Sequence, residues 1–309
     1  MPSEFTSLIE NLKLSTPNTY NDKGEEISIV DSLKALQQVY EFQRKKGLVP
    51  DYYKKPFGCQ LELTYRCNQK CITCYNRSGG ERNKWEDLSL EEWKRVAREF
   101  AEAGIFQCVI SGGEPLLMGD GLFEIMDILH EANVVFIFIT NGMLLTPEKI
   151  EKLSKYRYDK FQVSIDGSRP DIHDFVRGVK SWEKAIKAAA LVHQAGLPLV
   201  IAHTIVKQNF DLVEEMIDLS YFLGASQIIA GAVELSGRAV DNYEEIGLTV
   251  EQKKTLYDRV KKKAKEYNRR MEVRTVVDDV ISFRYHVVEK NAVLLVRPGG
   301  DVKFDCIMP

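Results

Sequence analysis

The sequence predicts an α/β protein in which six strand–helix units wind into a partial barrel, and three observations carry that prediction. From Cys59 onward, short apolar runs alternate with longer amphipathic stretches, the order expected when parallel strands are joined by helical crossovers. The amphipathic stretches are punctuated by capping residues, glycine and proline, which start and stop helices. The rhythm repeats six times, two units short of an eightfold barrel, and in such folds function gathers at the C-terminal ends of the strands.

Taken in order, the strand candidates are CQLELTY (59–65), FQCVIS (106–111), VVFIFIT (134–140), KFQVSID (160–166), LVIAHTIV (199–206) and SQIIAGAV (226–233). Between them, LSLEEWKRVAREFAEAG opens on a Ser89/Glu92 capping pattern and stops at Gly104. DGLFEIMDILHEA, TPEKIEKLSKY, WEKAIKAAALVHQAG and DLVEEMIDLSYFLG have helical periodicity. Residues 1–57 fall outside the rhythm and form an N-terminal helical extension, with one amphipathic helix in ISIVDSLKALQQVYEFQRKKG that ends at Gly47. Residues 58–235 make the barrel core. Residues 236–309 follow as a basic helix, TVEQKKTLYDRVKKKAKEYNRR, whose charges read as a solvated face, and a β-hairpin around Pro298–Asp301.

Composition narrows the function. The 309 residues are 44% hydrophobic and 28% charged, with a formal net charge of -3, so nothing pulls the chain as a whole toward nucleic acid or a membrane surface. The N-terminus has no basic segment before an apolar run, and the apolar run VVFIFI (134–139) is far shorter than the roughly 18 residues of a membrane span. A cytoplasmic location is predicted. Six cysteines in such a chain point away from a disulfide framework and toward metal or catalytic use of the clustered three.

Those three are Cys67, Cys71 and Cys74 in TYRCNQKCITCYN, at the spacing CxxxCxxC in the loop after the first strand. Thiolates select zinc or iron–sulfur clusters, and a structural zinc site wants a fourth ligand that this loop lacks. Three cysteines can instead hold three irons of a [4Fe–4S] cube and leave the fourth iron open to a non-protein ligand. Further signals follow at the strand ends: SGGEP (111–115), TNG (140–142), VSIDG (163–167) and HDFVRG (173–178). Each also has a plain turn or surface reading, Asp166–Gly167 as a turn and Arg177 as a surface ion pair.

Together these motifs resemble the radical SAM enzymes over roughly residues 57–235, with a partial (β/α)6 TIM-like barrel. The resemblance implies a [4Fe–4S] cluster on Cys67, Cys71 and Cys74, and S-adenosyl-L-methionine held by Gly112, Gly113 and Glu114, by Asn141, Ser164 and Asp166, and by Arg177. The position before the third cysteine, commonly aromatic in that family, is Thr73, with Tyr75 just beyond. The implied activity is reductive cleavage of S-adenosylmethionine to a 5′-deoxyadenosyl radical, which abstracts hydrogen from substrate. A low-potential electron donor of flavodoxin or ferredoxin type is implied as partner. HDFVRG and PGGDVKFDC resemble the SPASM/twitch branch, which commonly modifies peptides or proteins, so a peptide maturase is the leading expectation. The same chemistry on an aminosugar or tetrapyrrole precursor is the alternative, and a non-catalytic iron–sulfur or zinc protein is a third reading. By that resemblance Cys306 matches the first cysteine of the branch's extra cluster domain and cannot hold a cluster alone, so two readings stand, a domain cut short after it, which is preferred, or a member that has lost the domain.

Overall fold

The computed structural model describes residues 45–47, 55–80, 86–276 and 293–303. The amphipathic segment 27–47, apart from its last three residues, and Cys306 lie outside them. Contacts mark off Lys54–Pro309 as one compact unit.

The first strand, β1 (Gly58–Glu62), runs into the cysteine loop, and α1 (Leu90–Ala103) returns the chain to β2 (Gln107–Ser111). The predicted capping box is present: the Ser89 side chain accepts from the Glu92 amide and the Glu92 carboxylate takes the Ser89 amide, while Gly104 closes the helix in left-handed conformation. Next come α2 (Asp120–Glu131), β3 (Val135–Thr140), α3 (Pro147–Leu153), β4 (Tyr158–Ser164), α4 (Pro170–Arg177), α5 (Trp182–Gln194), β5 (Leu199–Ile205), α6 (Val213–Phe222) and β6 (Gln227–Ala232). A short turn, α7 (Tyr243–Ile246), precedes the basic helix α8 (Val250–Glu266), followed by β7 (Glu272–Val276), β8 (Val293–Val296) and β9 (Val302–Lys303).

The described strands form one sheet in the order β7-β6-β5-β4-β3-β2-β1-β8-β9. Strands β1 to β7 are parallel neighbours in sequence order, and α helices separate most of them, as a parallel crossover requires. One strand and one pairing were not expected. Short, charged β7 adds to β6, and β8, the first arm of the predicted hairpin, pairs in parallel with β1 at Gly58↔Val293 through Leu61↔Val296. β8 and β9 are antiparallel, as a hairpin must be.

One side of this sheet is packed and the other is open. Cys59, Leu61, Cys108, Ile110, Phe136, Phe138, Phe161, Val163 and Ile201 share a core with Trp93, Ala97, Leu122, Ile125 and Ala189 of the helices. Along β2, β3 and β4 the alternate residues are only half-buried: Val109, Ile137, Ile139, Gln162 and Ser164. A strand turns successive side chains to opposite faces, so these residues line the inner face of a partial barrel with accessible space. Burying each large aromatic of the outer face contributes about 2–3 kcal/mol, which fixes the register that aims the inner face. Among the described residues no helix is long and apolar enough to cross a membrane.

Candidate active site

The cysteine loop leaves β1 at Leu63, whose carbonyl is pinned by the Trp93 indole N–H at 3.0 Å. It is then gripped by α4: the amides of Lys70 and Ile72 donate to the carbonyls of Arg177 (3.2 Å) and Val176 (3.0 Å). Within the loop, the Cys74 amide donates to the Cys71 carbonyl, so the last two cysteines share one turn. All three thiols are half-buried and free. Burial pushes the Cys67 thiol up to about 12 and raises Cys71, whose rise Arg177 opposes. An iron that binds here displaces those protons. Among the described residues no three His, Cys, Asp or Glu side chains converge as a single-ion site would need.

The SGGEP turn packs on the root of this loop. The Gly113 amide donates to Thr64 and the Glu114 amide to Arg66. A Cβ on Gly113 would lie 2.1 Å from the Arg66 carbonyl oxygen, and Gly112 has φ +131°, so glycine is required at both. The Glu114 carboxylate is fully buried and accepts from Thr140 Oγ1 (2.9 Å), the Asn141 amide (2.9 Å) and the Leu116 amide (3.2 Å). Burial outweighs these bonds and raises its pKa. The carboxylate thereby ties the end of β2 to the end of β3. Asn141 carries the tie onward, donating from Nδ2 to Asn68 Oδ1 at 2.7 Å and to Cys67 Sγ at 3.7 Å.

At the end of β4, Ser164 stands half-buried on the inner face, whereas Asp166 is 1% exposed. Asp166 Oδ1 accepts from the Thr204 amide at 2.7 Å, and Oδ2 faces Arg177 Nε at 2.7 Å. The same guanidinium donates from Nη1 to Cys71 Sγ at 3.8 Å. Burial works against the Arg177 charge, but Asp166 and Cys71 outweigh it and the pKa is raised. The predicted site residues thus gather at one end of β1 to β4, and Arg177 is an interior ion pair.

Other members of this cluster are not among the predicted site residues. His173 Nδ1 accepts the Asp166 amide at 3.1 Å and Nε2 lies 3.1 Å from Ser181 Oγ. Asn209 Nδ2 donates to the Asp166 carbonyl at 2.9 Å. His203 sits on the side of β5 shared with Ile201 and Ile205, its Nδ1 3.2 Å from the Ile165 carbonyl. These are residues of ordinary type whose partners named here are 7 to 43 positions away, a distance that no local pattern reports. On the inner face of β1, Gln60 donates to Ser111 Oγ (3.0 Å) and Glu62 accepts from the Tyr75 hydroxyl (2.7 Å), with Arg297 3.8 Å away. Burial pushes the Glu62 carboxyl up against the pull of both partners.

The donor set fits an open iron–sulfur cluster and a polar cofactor. Three thiols come from one loop without a fourth. In the same loop, Gln69 Nε2, Asn76 Nδ2 and Ser78 Oγ are buried without a hydrogen-bond partner. Such groups cost about 1–3 kcal/mol each unless something satisfies them.

A parallel α/β partial barrel with a three-thiol loop over its open end is the scaffold of an iron–sulfur enzyme. The family model of the radical SAM superfamily matches residues 61–220, and the chain belongs to that superfamily, whose cofactors are a [4Fe–4S] cluster and S-adenosylmethionine. It is 33% identical over 204 residues to mycofactocin maturase MftC of Mycolicibacterium smegmatis, covering 66% of this chain and 51% of that protein. It is 32% identical over 188 residues to the PqqA peptide cyclase of Ruegeria pomeroyi, covering 60% and 50%. The chain therefore spans about half the length of these curated relatives. Among solved structures, Streptococcus suis SuiB bound to S-adenosylmethionine superposes with a TM-score of 0.68 at 18% identity, over 98% of this chain and 69% of that one. Native anSMEcpe with bound AdoMet gives 0.63 at 17% identity, over 82% and 76%. This likeness establishes the partial TIM-barrel fold.

Proposed function

We propose that the chain is the catalytic core of a radical SAM enzyme that modifies a peptide or protein. When bound, the cluster and S-adenosylmethionine supply a 5′-deoxyadenosyl radical that takes hydrogen from substrate. Cys67, Cys71 and Cys74 are assigned to the cluster. Gly112, Gly113, Glu114, Asn141, Ser164, Asp166 and Arg177 are assigned to the cofactor, Glu114 and Asp166 by bracing the strand ends that meet it and the others by contact. Their gathering at one end of the sheet supports this assignment.

The observation that carries the substrate reading is the half-buried inner face of β2 to β4, which leaves room where an eightfold barrel is packed. The relatives are a maturase and a peptide cyclase by name, and SuiB has been solved with a precursor peptide, so the small-molecule alternative is not favoured. The free thiols suit a reducing cytoplasm, and the chemistry calls for a low-potential donor of flavodoxin or ferredoxin type. We assign residues 1–57, 58–235 and 236–309 as extension, core and C-terminal part; β7 and β8 of the last part join the core sheet.

Anaerobic reconstitution tests this reading. It should yield about four iron and four sulfide per chain, and 5′-deoxyadenosine after reduction with S-adenosylmethionine. Mass spectrometry of any short peptide encoded beside the gene should then show loss of hydrogen or a new cross-link. Reconstituted, reduced protein that left S-adenosylmethionine intact would overturn the proposal.

A further inference from the structure

The segment after β6 reaches back across the barrel mouth onto the cysteine loop. Gly237 has φ +51°, and a Cβ there would lie 2.3 Å from the Cys74 carbonyl oxygen and 2.2 Å from that of Tyr75. Both obstacles are backbone, so no side-chain movement relieves them. The next residue, Arg238, donates its amide to the Cys74 carbonyl at 2.8 Å. Its guanidinium donates from Nη1 to the Cys71 carbonyl at 2.5 Å and from Nη2 to the Ser78 carbonyl at 2.7 Å. One residue therefore collects three carbonyls of the loop, two of them belonging to cysteines. At the rim, Arg77 of the loop pairs with Asp241 through two bonds of 2.6 and 2.8 Å.

We infer that Arg238 is a positioning residue that holds the Cys71–Ser78 turn in the shape that presents its thiols to the cluster. This rests on the assignment of the three cysteines to a cluster. Carbonyl dipoles that converge repel one another, and a planar cation with a fixed fork of donors is what holds two of them side by side. Without it, the peptide planes of Cys71 and Ser78 turn toward water. The Cα–Cβ bond of Cys71 is attached to such a plane, so the thiol turns with it. Lysine offers a single charged point and can satisfy one carbonyl well but not both in this geometry. The Arg77–Asp241 pair is exposed and contributes little, so it serves as the control.

The test compares wild-type protein with Arg238→Ala, Arg238→Lys and Asp241→Asn after anaerobic reconstitution. Three quantities are read: iron per chain, the rate at which a chelator bleaches the cluster absorbance, and the EPR signal of the reduced cluster with and without S-adenosylmethionine. Support of a metal ligand from outside its coordination shell is worth about 10–100-fold in metal affinity. Arg238→Ala should therefore bleach at least about tenfold faster, with Arg238→Lys in between and Asp241→Asn near wild type. The melting temperature of the metal-free protein should change little, which separates positioning from global unfolding. If Arg238→Ala does not fold by circular dichroism, Arg238→Lys carries the test. Bleaching at the wild-type rate in whichever variant folds overturns the inference and leaves the cluster assignment standing. A wild-type protein that takes up no iron overturns both.

Discussion

Arg177 Nε stands 2.7 Å from Asp166 Oδ2 inside the protein, and the other end of the same guanidinium rests on Cys71. The pair joins the end of β4 to the end of α4 and so fixes where α4 grips the cysteine loop. Arg177→Met leaves the Asp166 carboxylate buried without its partner and should cost about 3–5 kcal/mol. Urea unfolding should show most of that loss recovered in the double variant Arg177→Met/Asp166→Asn. If the double variant is as unstable as the single one, the ion pair is not the source.

Glu114 offers a second test. Its carboxylate accepts three hydrogen bonds and donates none. Glu114→Gln places an amide NH2 among N–H donors and should destabilise by about 1–3 kcal/mol. Because the broken tie runs through Asn141 to Cys67, equilibrium dialysis should also show weaker binding of S-adenosylmethionine to the reconstituted variant. A variant with normal affinity and normal stability would count against that tie.

His173 gives the fold a pH dependence of definite sign. Burial first, and then nearby Arg177, lowers its pKa from 6.5 to about 4. The unfolded chain therefore binds a proton more readily than the folded one between those values. The stability linked to His173 is fully present above about pH 6.5 and is lost as pH falls toward 4, at most about 3 kcal/mol. His173→Asn keeps an acceptor for the Asp166 amide but cannot titrate. Its unfolding midpoint should fall less steeply than that of wild type between pH 6.5 and 4, and parallel curves would refute the assignment.

Cys71→Ala tests the proposed cluster assignment at the centre of the loop. The reconstituted variant should lose both the visible absorbance of the cluster and deoxyadenosine formation. Full cofactor cleavage by this variant would show that the triad does not hold the cluster.

The sequence made much of this architecture legible because the signals are local. The Ser89–Glu92 box and Gly104 mark both ends of α1, and all six predicted strands are present within two or three residues of their expected ends. Strand β4 begins two residues earlier than expected, because a bulge at Asp159 brings Tyr158 into the pairing with Phe136. What escaped was non-local or short. β7 is five residues, three of them charged or polar, and only its neighbour β6 makes it a strand. That β8 lies against β1 depends on a pairing across 235 positions. The site divides the same way: the cysteine triad follows from spacing and the glycines from the family resemblance, whereas Asn209 and Arg238 become legible only when folding brings their partners to them. Arg177, which a sequence reader would place at the surface or on the cofactor, is spent first on Asp166.

The pairing of β8 with β1 bears on biosynthesis. β1 is the first of the described strands to leave the ribosome, yet one of its two neighbours is among the last. Until residues 293–297 emerge, one edge of β1 lacks its partner and Glu62 lacks Arg297, which also reaches Asn76 beside the cysteines at 3.0 Å. Iron delivered before residues 293–297 emerge would therefore meet a loop that still lacks its Arg297 contacts.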